Sequence, residues 1–186
     1  LLDLVTNDTT LPDLATIRSS FSIENVSKEF FEKYAGLYKK LVKSLKDVIA
    51  NDDAIKQEFK DKNVDVSEFA KKLLGQIVFI YFLQKKGWLG VPRKGKWGEG
   101  RKDFLRAVFE GEFGKYNNFF NDVLEPLFYN AFANSERDNA YYDKFDCRIP
   151  FLNGGLFEPV GGYDWVNTDI VLDNEIFKTI LDTFDE

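Results

Sequence analysis

Residues 67–89 read SEFAKKLLGQIVFIYFLQKKGWL, and their periodicity sets the expectation for the whole chain. Phe69, Ala70, Leu73, Leu74, Ile77, Val78, Tyr81 and Phe82 recur at spacings of three and four, the repeat of a helix with one buried side. Ile80 and Leu83 widen the apolar arc almost to a full circle, which places this helix at the centre of a core. Ser67 is a suitable N-cap. At the other end Gly87 stands where a left-handed cap is needed, and Trp88 follows it as an apolar clasp.

Working outward, the same period appears upstream from Ser27. Phe30, Phe31, Tyr34, Leu37, Tyr38, Leu41, Val42, Leu45, Val48 and Ile49 define one face of a long amphipathic helix, with lysines on the opposite face. Ser27 is its expected N-cap and Glu29 lies in its first turn. A short polar helix is predicted over residues 52–60. Downstream, Pro92 and four glycines make residues 90–100 a loop. Two further helices are marked by Phe104, Leu105, Val108 and Phe109, and by Tyr116, Phe119, Phe120, Val123, Leu124, Leu127 and Phe128, with Pro126 expected to kink or restart the second. Residues 134–167 are irregular, with turns at Asn153-Gly154-Gly155 and Gly161-Gly162. A final helix starts near Asp173. The expected fold is mainly α: an irregular helical bundle with long loops and one short β-hairpin near residues 148–166. Residues 1–26 read as a lead-in segment and residues 27–186 as one helical connector domain.

Composition narrows the function. With 44% apolar residues and 19 phenylalanines among 186 residues, the chain has ample material for a packed interior. The longest apolar run, residues 77–83, falls far short of the roughly 20 residues that cross a bilayer. No signal peptide is recognisable, and the single Cys147 fits a reducing compartment, so a cytoplasmic location without membrane contact is expected. Methionine is absent and the last apolar run stops at Phe184, from which we expect a segment of a longer protein. Histidine is absent as well, which removes the commonest general base and the commonest metal ligand.

No motif in the chain carries chemistry convincingly. Glu58-Phe59-Lys60 matches the E-x-K of metal-dependent nucleases, but that chemistry needs carboxylates converging on a divalent cation from adjacent strands, and this triplet has helical neighbours. The glycine pairs lack the spacing of a phosphate-cradling loop. Cys147 has no histidine to activate it, and there is no Pro-Pro pair of the kind an adenine-methylating loop contains. The segment is therefore expected to be non-catalytic, with no cofactor or metal of its own.

Charge is distributed unevenly. The chain carries 25 basic and 31 acidic residues, a net charge of −6. Between Gln84 and Arg106, however, Lys85, Lys86, Arg93, Lys94, Lys96, Arg101, Lys102 and Arg106 face only Glu99 and Asp103. A mobile, basic, glycine-rich loop holding Trp97 suits contact with a phosphate backbone, and Trp97 could stack on a base or pin the loop. Lys85, Lys86, Arg93, Lys94, Lys96, Trp97, Arg101 and Lys102 are thus the candidate DNA-binding residues. A solvated basic loop answering acidic surfaces of the same protein is the simpler alternative.

Three stretches together resemble one family. Residues 73–89, ending in FLQKKGWL, residues 123–129, VLEPLFY, and residues 149–158, IPFLNGGLFE, resemble in order and spacing the helical region of type IIG restriction–modification enzymes and related large adenine-specific DNA methyltransferases. The resemblance covers residues 73–158. It implies a bacterial parent in which this region lies between an N-terminal part, often a nuclease, and an S-adenosylmethionine-dependent methyltransferase domain. It also implies DNA and other domains of the same chain as partners. S-adenosylmethionine, and Mg2+ for any cutting domain, would belong to the parent, whose cofactor loop and N-P-P-Y motif come later in the chain. A scaffolding domain that contacts only protein, or a self-contained nuclease using Glu58 and Lys60, are the competing readings.

Overall fold

The computed structural model of the chain describes residues 14–152 and 155–185, with side chains from Lys28 onward. Residues 1–13 of the lead-in segment and the expected turn at Asn153-Gly154 lie outside the described residues. The fold is mainly α. Among the described residues five α-helices run Leu14–Asn51 (α1), Asp53–Asp61 (α2), Val66–Lys85 (α3), Phe104–Phe109 (α4) and Asn174–Asp185 (α5). The chain divides into two compact units, Leu1–Gly36 and Leu37–Glu186.

In the first unit α1 is already helical from Leu14, so Ser27 lies inside the helix and does not cap it. Phe30 and Phe31 are exposed, although the periodicity placed them on a buried face.

In the second unit α3 is the central element, and Phe69, Leu73, Leu74, Ile77, Ile80 and Leu83 are all buried. Its N-cap is Asp65, whose side chain accepts the Glu68 N–H at 2.8 Å. The expected Ser67 falls within the first turn, because the helix begins at Val66 with Asp65 in the capping position. Val78 and Phe82, expected on the buried side, are exposed. Two polar residues take buried places on the same helix: Gln76 donates to the Leu156 carbonyl at 2.8 Å, and Gln84 accepts the Leu105 N–H at 2.9 Å. Gln84 thereby satisfies a backbone amide inside the protein, and Gln76 ties α3 to the turn at Leu156.

Around α3 lies an aromatic interior. Phe69 meets Phe59, Phe120 and Tyr163 at 5.5–5.9 Å. Phe157, from the apolar turn, contacts Phe79, Phe128 and Phe132. Phe177 of α5 packs on Phe119 and Phe120.

Around Pro126, where a kink or a restart is expected, the chain runs as two π-helical stretches, Phe120–Leu124 and Leu127–Phe132, with Pro126 itself in helical conformation. Proline has no N–H to give the carbonyl four residues back and its ring crowds that carbonyl, so the helix widens. The Asp122 carbonyl freed in this way accepts the Lys144 ammonium instead. Glu125, on the same segment, is fully buried. Tyr163 donates its hydroxyl to Glu125 Oε1, while Oε2 has no hydrogen-bond partner among the described residues. Burial pushes this carboxyl up to about 8, against the opposing pull of the Tyr163 hydrogen bond.

The short hairpin is present but lies earlier than residues 148–166. Tyr141–Tyr142 (β1) pairs antiparallel with Cys147–Arg148 (β2), with Tyr141 opposite Arg148. A bridge from Arg148 to Val91 ties this pair to the loop after α3, and that distant contact fixes where pairing occurs.

Candidate nucleic-acid interface

The basic stretch is a closed structure rather than a loose loop. At its start α3 ends in a Schellman motif: the Gly87 N–H reaches the Gln84 carbonyl at 2.9 Å and the Trp88 N–H the Leu83 carbonyl at 3.1 Å. Gly87 has φ +68°. Its carbonyl then accepts two more amides, Gly98 N–H at 3.0 Å and Gly100 N–H at 2.9 Å, and Arg101 N–H bonds the Leu89 carbonyl at 2.8 Å. A Cβ on Gly87 would lie 2.2 Å from the Gly98 carbonyl oxygen, and one on Gly100 would lie 2.2 Å from the Leu89 oxygen. These glycines serve close backbone approach, so the expectation of mobility is replaced by one of a tightly drawn turn. Leu89 and Val91 are fully buried beneath it.

Arg148 locks the far side. Its Nη1 donates to the Gly95 carbonyl at 2.8 Å and its Nε to the Asn139 carbonyl at 2.9 Å. The guanidinium lies 4.3 Å from the centre of the Trp97 ring. Arg93 is likewise 4.3 Å from the Tyr141 ring, and Lys86 is 5.7 Å from Phe82.

The eight candidate residues separate by their partners. Arg101 is committed: it pairs with Asp103 at 2.8 Å and also with Glu112. The hydrogen bond that Arg101 donates to Asp103, then that to Glu112, holds its guanidinium above the ordinary value, and the same contact lowers Asp103. Arg106, in the basic stretch but outside the candidate set, pairs with Asp182 and Asp185 of α5 at 2.8 and 2.7 Å. Lys85, Lys94, Lys96 and Lys102 are exposed, and among the described residues no ion pair engages them. Arg93 and Lys86 rest on aromatic rings with their charge still at the surface.

Trp97 is 43% exposed and Trp88 is 40% exposed. Together with Pro150 they line a cavity of about 280 Å³. Trp88 and Arg148 are the members of this surface that sequence reasoning missed. Trp88 was assigned only to the helix end, and Arg148 lies fifty-one residues beyond Trp97, with no local signal linking them.

The other sequence motifs have structural roles. Glu58 lies on α2 and accepts the Asp164 N–H at 2.8 Å, fastening the turn at Asp164. Among the described residues no group of three or more carboxylate or thiol side chains is placed to hold a metal ion. Cys147 is buried, and burial pushes its thiol up to about 12, where the nucleophilic thiolate is scarce at neutral pH. No helix of the described residues is long and apolar enough to cross a membrane.

The fold and this surface therefore describe a helical module that carries a rigid basic turn. Its sequence is similar to a Methanocaldococcus jannaschii protein named "Putative type II restriction enzyme and methyltransferase", 30% identical over 173 residues and taking in 78% of this chain. The chain spans 13% of that relative's length. That printed name describes a restriction–modification protein and does not specify the IIG type. No protein-family model matches the sequence, and no solved structure matches it.

Proposed function

We propose that this chain is a non-catalytic helical region of a cytoplasmic restriction–modification protein, which positions the catalytic domain and meets the DNA backbone through the turn after α3. The parent activity it fits is methylation of adenine N6 with S-adenosylmethionine as donor, with or without a Mg2+-dependent cutting domain. Those cofactors and reactions belong to the rest of the parent. DNA and the neighbouring domains of the same chain are the partners.

One observation carries the DNA part of this reading. In a chain of net charge −6, Lys94, Lys96 and Lys102 project from a backbone held by glycine-mediated hydrogen bonds, and no acidic partner among the described residues neutralises them. Pre-positioned, solvated cations of this kind release counterions from a duplex at little entropic cost. Changing Lys94, Lys96 and Lys102 together to glutamine in the full-length protein should weaken binding to target and non-target duplexes alike, because phosphate contacts carry no sequence information. Unchanged affinity for both would remove DNA contact from the account.

A scaffolding role draws on a different observation. Arg101 and Arg106 are neutralised by acidic residues of the same chain, and Val78 and Phe82 leave an apolar strip on α3 exposed. That strip suits docking of another domain of the parent.

A further inference from the structure

We propose that the cavity between Trp88 and Trp97 is a binding site for an unstacked nucleobase, with Lys94 and Lys96 engaging the phosphates on either side of it. This rests on the reading of the turn as a DNA-contacting surface and names the part of the nucleic acid it takes.

Three features of the site select this occupant. First, two indoles and a proline ring line a cavity of about 280 Å³ at the surface, and both indoles stay 40% or more exposed. Flat aromatic walls receive a flat ring, and stacking is indifferent to which base is offered, since each base has a π-face. Second, the backbone beside both rings is tied together, and the Trp97 ring is packed. The Gly98 N–H to Gly87 carbonyl bond, 3.0 Å long, joins the chain neighbours of the two tryptophans, and the Arg148 guanidinium packs on Trp97. A pre-formed site loses little side-chain entropy on binding. Third, the turn that carries the cavity is mainly basic. Lys94 and Lys96 precede Trp97 in the chain, with Glu99 accepting the Lys96 N–H at 2.9 Å, Arg93 rests on Tyr141, and the Arg148 guanidinium lies 4.3 Å from the centre of the Trp97 ring. An apolar slot on a basic turn complements a base carried on phosphates better than it does an apolar peptide, which would leave these charges without partners.

Duplex bases are stacked and cannot enter such a slot, so the ligand is a single strand or a locally distorted duplex. The test compares a short oligothymidylate with an abasic oligomer of equal length and phosphate number, both titrated against the full-length protein by fluorescence anisotropy. Wild-type protein should prefer the oligothymidylate at least about fivefold, the lower end of what one base–aromatic stack supplies, with quenching of indole fluorescence. Trp97→Leu, which keeps apolar volume without a π-face, should erase that preference, lowering affinity for the oligothymidylate several-fold more than affinity for the abasic oligomer. Trp97→Phe should retain most of it, showing that a ring rather than the loop's integrity is at issue.

The Lys94→Gln, Lys96→Gln, Lys102→Gln variant should weaken binding of both oligomers equally. If it does so while wild type shows no preference for bases, or while Trp97→Leu keeps the preference, the base site is refuted and the backbone reading stands. If the lysine variant binds both oligomers as wild type does and Trp97→Leu still abolishes the preference, the base site stands and backbone contact fails. A cavity that takes an apolar side chain of another protein would show no preference between the oligomers, which also overturns the proposal.

Discussion

Helix α3 and the turn that follows it are adjacent in sequence and both well ordered, yet opposite forces order them. The helix is fixed by burial: six of its large apolar side chains face an aromatic interior, and its two buried glutamines each satisfy a distant backbone group. The turn has little apolar surface to bury beyond Leu89 and Val91. It is fixed by backbone hydrogen bonds that only glycine-to-backbone proximity allows. A segment ordered by burial spends its side chains on the interior, whereas one ordered through its backbone keeps them for solvent. That difference explains how Lys94, Lys96 and Lys102 can be both pre-positioned and open to a ligand.

Several measurements would break or sharpen the contrast. The largest effect belongs to the interior. Phe128→Ala removes a ring that packs on Phe157 and Tyr129 and should cost about 3–5 kcal/mol in urea unfolding. A loss under about 1 kcal/mol would mean that the aromatic interior is loosely packed.

Next is the pH dependence set by Glu125. Its folded carboxyl lies near 8, against an ordinary value of 4.5, so the folded state holds the proton more tightly than the unfolded state. Its contribution is complete below about pH 4.5 and is lost as pH rises through about 8, an effect on the order of a few kcal/mol. Glu125→Gln should flatten stability across that window in thermal melts at successive pH values. An unchanged slope would place the pH dependence elsewhere.

The turn should respond to a single methyl group. Gly100→Ala puts a Cβ against the Leu89 carbonyl oxygen and should cost about 1–3 kcal/mol, with faster hydrogen exchange at the Arg101 amide. An unchanged exchange rate would contradict the account of the glycines. The smallest effect is expected at Arg101. Its ion pairs are substantially solvent-exposed, so Arg101→Gln should cost less than about 1 kcal/mol and should alter DNA affinity less than removing any one of the three lysines.

Legibility in the sequence followed the same division. Burial writes itself as period, so α3, the second half of α1 and the start of α5 near Asp173 were readable to within a few residues. Capping was less so, because Asp65 and Ser67 are both good caps and only the geometry chooses Asp65. Phe30, Phe31, Val78 and Phe82 were misplaced because a stripe shows what can be buried, not what lies over it. The hairpin was displaced because its strands are two residues each, and the bridge from Val91 to Arg148 selects them. Within the basic turn the charges were legible and the rigidity was not. Glycine favours a loose loop and a close approach equally well, and the deciding atoms at Gly87, Leu89 and Arg148 come from elsewhere in the chain. The commitment of Arg101 to Glu112 was hidden for the same reason.

The central claim is that the lysines on this turn are pre-positioned phosphate ligands, and the most direct test is the salt dependence of DNA binding by the full-length protein. The slope of log K against log salt should be shallower in the Lys94→Gln, Lys96→Gln, Lys102→Gln variant by about 0.9 for each phosphate no longer neutralised, roughly 2 to 3 in all. Parallel lines for wild type and variant, with the same intercept, would contradict it.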